Sequence, residues 1–432
     1  MKQTARALAA LLLVAGLVLC CACGTAAANR IKSEASLLKL LAAYRVSGME
    51  AFDFSLTKEY FDEVSADDFA LLPVIAAKAG MTDYRLKYVT NGDLFFEEVS
   101  WAEPFFAQCD DASRAEDAVR EMVARRAEHF SLICSPEAFD RLMDEDGKST
   151  GLEDALVHAG IFQCGISYSP GARIISIEVT AVYPGTRILQ AVEAGDDSFL
   201  TAREKETLAA AQRLAEDCRR EDGLSTARAI HDALCETVVY TDDRTTEEDD
   251  TAIGALLNGQ ANCDGYADAF LLAGTLAGLK VRYQHGDSYR QEQDDRYEGV
   301  THLWNLLEID GSWRLVDVTW DDQGDRTVHI WFNIGLDRAR LMHVWNEEMS
   351  VPLLEETVVA ERPENEYLVR SLIEAQGAVK NAMREKYPSF VLVLAGKANR
   401  EEVLDMMRRV VRGSISYSWN EYMKTLSVIF LR

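Results

Sequence analysis

The spacing of apolar residues along this chain predicts a mixture of helices and strands. Residues 24–46 read as a polar linker followed by a helix. From residue 47 onward, a run that alternates apolar and polar positions, a helical stretch and two more alternating runs follow one another, and this order recurs twice. Alternation is typical of half-buried strands, so each occurrence predicts a β-α-β-β module. Two modules are predicted within residues 47–190 and a third within 365–432.

The predicted elements follow the same order in each module. The strands are predicted at 51–56, 84–89 and 94–99, then at 129–133, 162–168 and 174–182, and finally at 389–394, 414–417 and 425–431. The helices between them are predicted at 69–76, 152–158 and 401–411. Because one helix barely covers three strands, the helical stretches 115–126 and 367–386 are expected to supply a second layer.

A different pattern fills the middle of the chain. Two helical stretches, 199–220 and 224–239, lead to a loop containing Gly and Asn that ends at Cys263. Leucines then recur at helical spacing, so Cys263 should lie in the first turn of a buried helix. These leucines are Leu271, Leu272, Leu276 and Leu279. The start of a helix carries unpaired N–H groups and a partial positive charge, which favour a thiolate over a thiol.

Two strand-like runs follow this helix, and each carries one titratable residue of interest. His302 lies in the first run, and Asp317 lies in the second, after a tight turn at Asp310 and Gly311. Cys, His and Asp therefore arrive in this order on a helix start and two neighbouring strands. A nucleophile, a base and an orienting carboxylate require that arrangement.

Three ordered motifs in this region resemble the core of the transglutaminase-like superfamily, as found in bacterial surface proteins. They are Asn-Cys-Asp-Gly-Tyr-Ala-Asp-Ala-Phe at 262–270, His-Leu-Trp-Asn at 302–305 and Val-Asp-Val-Thr-Trp-Asp-Asp at 316–322. The resemblance spans roughly residues 225–348 and extends to Trp-Phe-Asn at 331–333 and the region of His343. It implies an α+β fold in which a papain-like transglutaminase domain, residues 199–350, is flanked by the small β-α-β-β modules.

The resemblance and the motif order assign roles to individual residues. Cys263 is the predicted nucleophile, His302 the general base and acid, and Asp317 the group that orients the imidazole. The backbone N–H of Cys263 and one further donor would hold the oxyanion. The sequence leaves that donor open among Asn262, Gln260 and Tyr240, and it predicts Tyr266, Trp304 and Trp320 as aromatic residues of the cleft. His329 and His343 are predicted to be structural, and His231 and His285 have no motif around them.

Composition and charge exclude several classes of partner. The chain has 432 residues, enough for two to three domains, and its net charge is −26. An acidic chain without a basic cluster is not expected to bind nucleic acid. No metal is expected, because Cys263 has no Cys-x-x-Cys partner and the histidines lack metal-ligand spacing. The chain shows no Gly-rich phosphate-binding loop, and no cofactor is expected.

The first residues predict export. Lys2 and Arg6 precede an apolar run from Ala7 to Leu19, which is too short to span a membrane and typical of a signal peptide. The following Cys-Cys-Ala-Cys-Gly at 20–24 resembles a bacterial lipoprotein cleavage site. Residues 1–23 are therefore predicted as a lipoprotein signal segment, with Cys23 as the lipidated residue. The mature protein would be anchored to the outer face of the cell membrane, and secretion with Cys23 unmodified is the alternative.

Together these features predict an exported cysteine enzyme of thiol acyl-transfer chemistry. Hydrolysis is favoured over transfer to an amine, and the expected substrate is a protein or peptide, with cell-wall peptide as one option. The alternative is a surface binding or assembly protein that keeps the fold without catalysis, since arrays of small modules are typical of binding surfaces. Six cysteines besides Cys23 remain in the mature chain, too few for a disulfide scaffold, and their pairing stays open.

Overall fold

The protein is described by a computed structural model that covers residues 30–89, 92–143, 151–242, 246–291, 297–324, 327–355, 365–420 and 424–431. These residues form two compact units, the first ending at Ala181 and the second beginning at Val182. The architecture is α+β, as predicted. The predicted signal segment and Cys23 lie outside the described residues. Within the described ranges, no helix is both long enough and apolar enough to cross a membrane.

The first unit contains two sheets packed against helices. Its helices are α1 (Glu34–Val46), α2 (Lys58–Val64), α3 (Leu71–Ala79), α4 (Ala115–Ala124), α5 (Pro136–Leu142) and α6 (Leu152–His158). Its strands are β1 (Phe52–Ser55), β2 (Met81–Val89), β3 (Asp93–Trp101), β4 (Phe106–Cys109), β5 (His129–Cys134), β6 (Ile161–Ser169) and β7 (Ile174–Val182). The strand orders are β1-β3-β2 and β4-β5-β7-β6.

The second unit contains the longest sheet and the last module. Its helices are α7 (Pro184–Ala194), α8 (Ala202–Asp217), α9 (Gly223–Thr237), α10 (Cys263–Leu276), α11 (Val318–Asp321), α12 (Leu336–Ala339), α13 (Leu372–Glu385) and α14 (Arg400–Val410). Its strands are β8 (Val239–Tyr240), β9 (Gln260–Ala261), β10 (Lys280–Gln291), β11 (Tyr297–Ile309), β12 (Ser312–Val316), β13 (Phe332–Ile334), β14 (His343–Val344), β15 (Glu366–Val369), β16 (Ser389–Leu394), β17 (Ser414–Asn420) and β18 (Thr425–Leu431). The sheets have the orders β13-β12-β11-β10-β14, β15-β16-β18-β17 and β8-β9.

Two of the predicted modules are larger than the β-α-β-β pattern suggested. In each, an extra short strand, β4 or β15, pairs in parallel with the next strand, β5 or β16. A parallel pair needs a crossover connection, and α4 and α13 provide it. The stretches 115–126 and 367–386 are therefore parts of the modules themselves. The second stretch was wrongly predicted as one helix, because Glu366–Val369 is a strand and the helix begins only at Leu372.

A buried helix organises the second unit. Helix α10 contributes Tyr266, Phe270 and Leu272 to a core that also includes residues of α7, α8, α9 and β11. The carboxylate of Asp268, on the same helix, accepts hydrogen bonds from the N–H groups of Gly185 and Ala252 and from the Tyr283 hydroxyl. These bonds fix the helix that begins with Cys263 against the elements around it.

The last module presents two different sheet faces. Phe390, Leu392 and Val428 pack with helices α13 and α14 in one core. On the opposite face, Val391 and Val393 pack in the core that contains Trp304 and Leu315 of the long sheet. Because residues alternate between faces along a strand, Ser427 of β18 and its register partner Ser418 of β17 lie on this second face. The second face therefore extends from the long sheet towards the site described next.

Candidate active site

An open cleft of about 630 Å³ lies in the second unit. Both the central domain and the last module contribute its walls. The central domain contributes Tyr240, Asp242, Asn262, Cys263, Val300, Thr301, His302, Thr319, Trp320, Asp322, Gln323, Ile330, Trp331 and Met342, and the last module contributes Ser418, Trp419, Thr425 and Ser427. Two of the three predicted catalytic residues, Cys263 and His302, thus face the same solvent-accessible space.

Cys263 is the first residue of α10, as predicted. Asn262 caps the helix: its side-chain oxygen accepts hydrogen bonds from the N–H groups of Asp264 at 3.0 Å and Gly265 at 3.3 Å. Gly265 allows a close approach, since a Cβ there would lie 2.7 Å from the carbonyl oxygen of Asp249. The first turn of the helix therefore rests directly on the preceding loop, and this contact sets the position of the thiol.

His302 and Asp317 form a buried hydrogen-bonded pair. His302 Nε2 lies 2.8 Å from Asp317 Oδ2, and the two side chains are 5% and 0% exposed. The His302 imidazole also interacts with the Cys263 thiol, which contributes to the raised pKa of His302, and Cys263 Sγ itself lies 3.6 Å from Asp264 Oδ1. The structure thus brings together all three predicted residues, in the order thiol, imidazole and carboxylate.

The electrostatics of the pair favour a charged imidazole. Burial opposes the charge on His302, but the charge and hydrogen bond of Asp317, with a smaller contribution from Cys263, raise its pKa to about 10. Burial alone would raise the pKa of Asp317, but the imidazoles of His302 and His343 hold it well below its usual range. At neutral pH the arrangement therefore supports an imidazolium beside the thiol and a carboxylate behind it.

Asp317 does not lie on the strand where the sequence predicted it. Strand β12 ends at Val316, and Asp317 precedes the short helix α11. Its Oδ1 accepts a hydrogen bond from the N–H of Trp320 at 3.1 Å, which occupies the oxygen turned away from His302. A residue that caps a helix leaves the strand geometry, and this cap fixes the carboxylate in the orientation that His302 requires.

The three predicted cleft aromatics lie in different places. Trp320 lines the cleft, with its ring centroid 5.5 Å from that of His302. Tyr266 is fully buried, and its hydroxyl donates to the carbonyl oxygen of Val238. Trp304 is 1% exposed and belongs to the core behind His302. The prediction of cleft residues was therefore wrong for Tyr266 and Trp304, since the period of their helix and strand turns them inward.

The candidate oxyanion donors also differ in position. Asn262 is engaged in the helix cap and in a hydrogen bond to Asp250. The Gln260 side-chain nitrogen donates to Asp249 Oδ1 at 3.0 Å, and Gln260 is not among the residues that line the cleft. Tyr240 lines the cleft, and its hydroxyl contacts Asp242. Of the three residues, Tyr240 is the one that lines the cleft without capping α10.

Sequence reasoning missed the role of His343. Its Nε2 lies 3.0 Å from Asp317 Oδ2, the same oxygen that contacts His302. Burial lowers the pKa of His343, so a neutral ring donates to the carboxylate. Trp304, Trp320 and Trp331 surround the ring, with centroids 4.7–5.1 Å away. The resemblance includes a late histidine, which was the one signal in the sequence for His343. It did not indicate that His343 contacts Asp317.

A second imidazole–carboxylate network lies on α9 and the segment after α11. His231 Nδ1 is 2.9 Å from Asp232 Oδ1, and His231 Nε2 is 3.2 Å from Asp321 Oδ2. His329 Nε2 contacts the same oxygen of Asp232 at 2.6 Å. Burial opposes the charge on His231, but the two carboxylates raise its pKa to about 9. The network ties α9 to the segment that carries Trp331, which lines the cleft.

Among the described residues, two sets of side chains bring donors close enough for a metal ion. They are His231, Asp232 and His329, and His302, Asp317 and His343, each with donor atoms within 4.8 Å of one another. In both sets the imidazole nitrogens already contact carboxylate oxygens at hydrogen-bond distances. The geometry of both is that of acid–imidazole pairs, and the expectation that no metal is needed stays a prediction.

Residues 209–318 match the family model of the transglutaminase-like superfamily. Over 110 residues the chain is 32% identical to the kyphoscoliosis peptidase of Mus musculus and 33% identical to that of Homo sapiens, which covers 22% of this chain and 16% of each relative. The match thus spans about a sixth of the length of these relatives. A solved structure described as a TGase is 13% identical, with a TM-score of 0.25, over 46% of this chain and 53% of that one.

The matched segment contains the elements that carry the three predicted catalytic residues. It runs from α8 through Cys263 and His302 and ends at Val318, one residue after Asp317. The modules on either side lie outside it. The chain therefore carries a domain of the transglutaminase-like superfamily.

Proposed function

We propose that this protein is an exported, lipid-anchored cysteine enzyme that hydrolyses peptide or amide bonds by thiol acyl transfer. The observation that carries the proposal is the contact of the Cys263 thiol with the His302–Asp317 pair at the wall of an open cleft. A thiolate is a nucleophile, and an adjacent imidazolium stabilises it at neutral pH.

In the first half of the reaction, the Cys263 thiolate attacks the carbonyl carbon of the substrate and forms a C–S bond. The negative charge that develops on the carbonyl oxygen is held by the N–H of Cys263, at the start of α10, and by the Tyr240 hydroxyl. His302 then donates its proton to the leaving nitrogen, and the C–N bond breaks. An amine or ammonia leaves, and a thioester remains on Cys263.

In the second half, water attacks the thioester carbonyl while His302, now neutral, accepts its proton. The C–S bond breaks, the carboxylic acid leaves and the thiolate–imidazolium pair is restored. Throughout both steps Asp317 keeps the ring oriented, and His343 donates to Asp317. The openness of the cleft supports water as the acceptor, because an acceptor amine would have to exclude water to compete with it.

The rate of Cys263 alkylation by iodoacetamide, followed by peptide mass mapping from pH 4 to 9, tests the proposal. An ordinary thiol is only about 0.3% thiolate at pH 6. Because an adjacent imidazolium stabilises a thiolate, Cys263 is expected to react at pH 6 at least about tenfold faster than an ordinary thiol. His302→Ala is expected to slow the reaction at pH 6 by at least about tenfold.

Cys164 gives an internal reference in the same digest. It is half-buried in the first unit, and burial raises its pKa, so it should react only at alkaline pH in both proteins. Equal behaviour of Cys263 and Cys164 in the wild type would refute an activated thiol. It would favour the alternative of a surface binding protein that retains the fold.

The lipid anchor is proposed from Cys23 and is tested separately. The wild type, expressed in a bacterium that processes lipoproteins, is expected to partition into the detergent phase of a Triton X-114 extract, because acyl chains make it amphiphilic. Cys23→Ser is expected to move it to the aqueous phase, whereas Cys21→Ser should leave it in the detergent phase. Partition of the wild type into the aqueous phase would exclude the anchor without bearing on catalysis.

A further inference from the structure

The first unit contains a pair of cysteines that the proposed chemistry does not use. Cys109 is the last residue of β4 and Cys134 is the last residue of β5, and the two are direct partners in the parallel ladder. Partners in register point to the same face of a sheet, and neighbouring strands lie about 4.8 Å apart. Disulfides join residues whose Cα atoms are about 4.4–6.8 Å apart, so the backbone already has the required spacing.

The side chains of this pair meet in the interior. Cys109 is 1% exposed and Cys134 is 9% exposed. The two thiols interact with each other, and the Cys109 thiol donates to the carbonyl oxygen of Asp111 at 3.3 Å. The interaction between the two thiols lowers the pKa of Cys109 and raises that of Cys134. Cys109 is therefore the better nucleophile of the two.

The last module shows that packing alone does not require thiols here. Its parallel pair β15–β16 ends in the register partners Val369 and Leu394, which occupy the same places in the same strand order. Both are buried, at 2% and 6% exposure. An apolar pair thus fills this position in one module, and a thiol pair fills it in the other. Two cysteines at matched positions give a covalent option that Val and Leu lack.

The other cysteines of the described chain are placed differently. Cys218 Sγ contacts the carbonyl oxygen of Ala229 at 3.3 Å, and Cys235 Sγ contacts that of Val318 at 3.7 Å. Cys164 lies on β6, and Cys263 lies in the second unit. In the ladders of the described strands, Cys109 and Cys134 are cysteines that face each other in register.

We propose that Cys109 and Cys134 form a disulfide in the mature protein. The inference rests on the proposed export, because an exporting compartment supplies the disulfide donor. The Cys109 thiolate attacks one sulfur of that donor, forming a mixed disulfide and releasing a donor thiolate. The Cys134 thiolate then attacks the Cys109 sulfur and releases the second donor thiolate. The two thiol protons pass to the leaving thiolates, so the donor is reduced to two thiols as the protein pair is oxidised.

The disulfide fastens an edge strand. β4 has four residues and lies at the end of its sheet, paired with β5 alone. The bond closes the loop that contains α4, which links the two strands. Closing this loop restricts the unfolded chain, and holding the ends of β4 and β5 together keeps the parallel pair in register.

Refolding in glutathione tests the proposal without relying on export. The full mature chain carrying Cys263→Ala, so that the active thiol takes no part in exchange, is unfolded with reductant and refolded in comparable amounts of oxidised and reduced glutathione. Thiols are then blocked, and the protein is digested without reduction. The peptides carrying Cys109 and Cys134 are expected to be linked, with the loss of two hydrogens, and Cys134→Ser should abolish the link.

A packing-matched variant separates the bond from the fold. Cys109→Val with Cys134→Leu copies the pair of the last module and keeps the site apolar. The thermal midpoint of the oxidised parent is expected to fall by about 5 °C or more on reduction, whereas that of the double variant should be the same in both conditions. Free thiols at both positions in the refolded parent, or linkage of Cys109 to another cysteine, would overturn the proposal. Neither result would alter the alkylation of Cys263.

Discussion

Replacing Cys263 by alanine is expected to reduce peptide hydrolysis by at least about 10⁴-fold, because the attacking thiolate is lost. The thiol is the proposed attacking group, and the other two members of the proposed triad cannot replace it: His302 is engaged with Asp317, and Asp317 is fully buried. The measurement is the turnover of those members of a peptide library that the wild type cleaves.

Two controls define this result. Cys164→Ala removes a thiol from the first unit and should leave turnover unchanged. Binding of the same peptides to Cys263→Ala, measured by fluorescence anisotropy, should be retained, because the cleft walls do not change. If Cys263→Ala cleaved the peptides within tenfold of the wild-type rate, the nucleophile would have to be sought elsewhere in the chain.

Asp317→Asn is expected to lower turnover by about 10³–10⁴-fold, because an amide cannot stabilise the His302 imidazolium or hold its productive tautomer. Alkylation of Cys263 at pH 6 should slow in parallel. The variant also breaks a buried charge pair, which costs about 3–5 kcal/mol of unfolding free energy. Asp310→Asn, at the exposed turn between β11 and β12, is the matched control and should change neither quantity.

The pH dependence of stability gives this prediction a second readout. The pKa of folded His302 is about 10, above its ordinary value of ~6.5, so its stabilisation is full below pH ~6.5 and is lost as pH rises through about 10. The pKa of Asp317 is lowered, so its stabilisation is present above pH ~4 and is lost on acidification. Asp317→Asn removes both contributions.

Urea unfolding at pH 7 and 9.5 measures this difference. The wild type should lose more stability between these two pH values than the variant does. His231, with a pKa of about 9, titrates in the same window in both proteins, so only the difference between the two reports on Asp317. Equal slopes in the two proteins would show that Asp317 does not set the charge of His302.

Local sequence patterns predicted those helices and strands that are long enough to contain several repeats of their apolar spacing. Helix α10 was predicted from its leucines, and β16 and β18 match the predicted strands. Strand β15 was missed because its four residues show only two alternations of apolar and polar positions. They were therefore assigned to the helix that follows. Asp317 was placed on a strand because nothing in Val-Asp-Val-Thr-Trp marks where pairing ends. That end depends on the hydrogen bond to Trp320, which is a property of the folded chain.

The candidate site shows the same difference between features that local sequence predicts and features that the folded chain determines. The order of Cys263, His302 and Asp317 predicted the three residues of the proposed triad, since each lies in a recognisable motif. His343 could not be assigned from the sequence, because its contact with Asp317 spans 26 residues and arises when β14 pairs with β10. The burial of Tyr266 and Trp304 depends on which side of α10 and β11 faces the core. Local motifs predicted the groups proposed to react, whereas the groups that hold them in position depend on tertiary packing.

The groups proposed to react and the residues that form one wall of the cleft come from different parts of the chain. The thiol, the imidazole and the carboxylate all come from the central domain, whereas Ser418, Trp419, Thr425 and Ser427 come from the hairpin β17–β18 of the last module. Substitutions in that hairpin can change which molecules are accommodated while every reacting group stays in place. Related chains that keep the central domain unchanged can therefore come to accept different molecules through amino-acid substitutions in β17 and β18 alone.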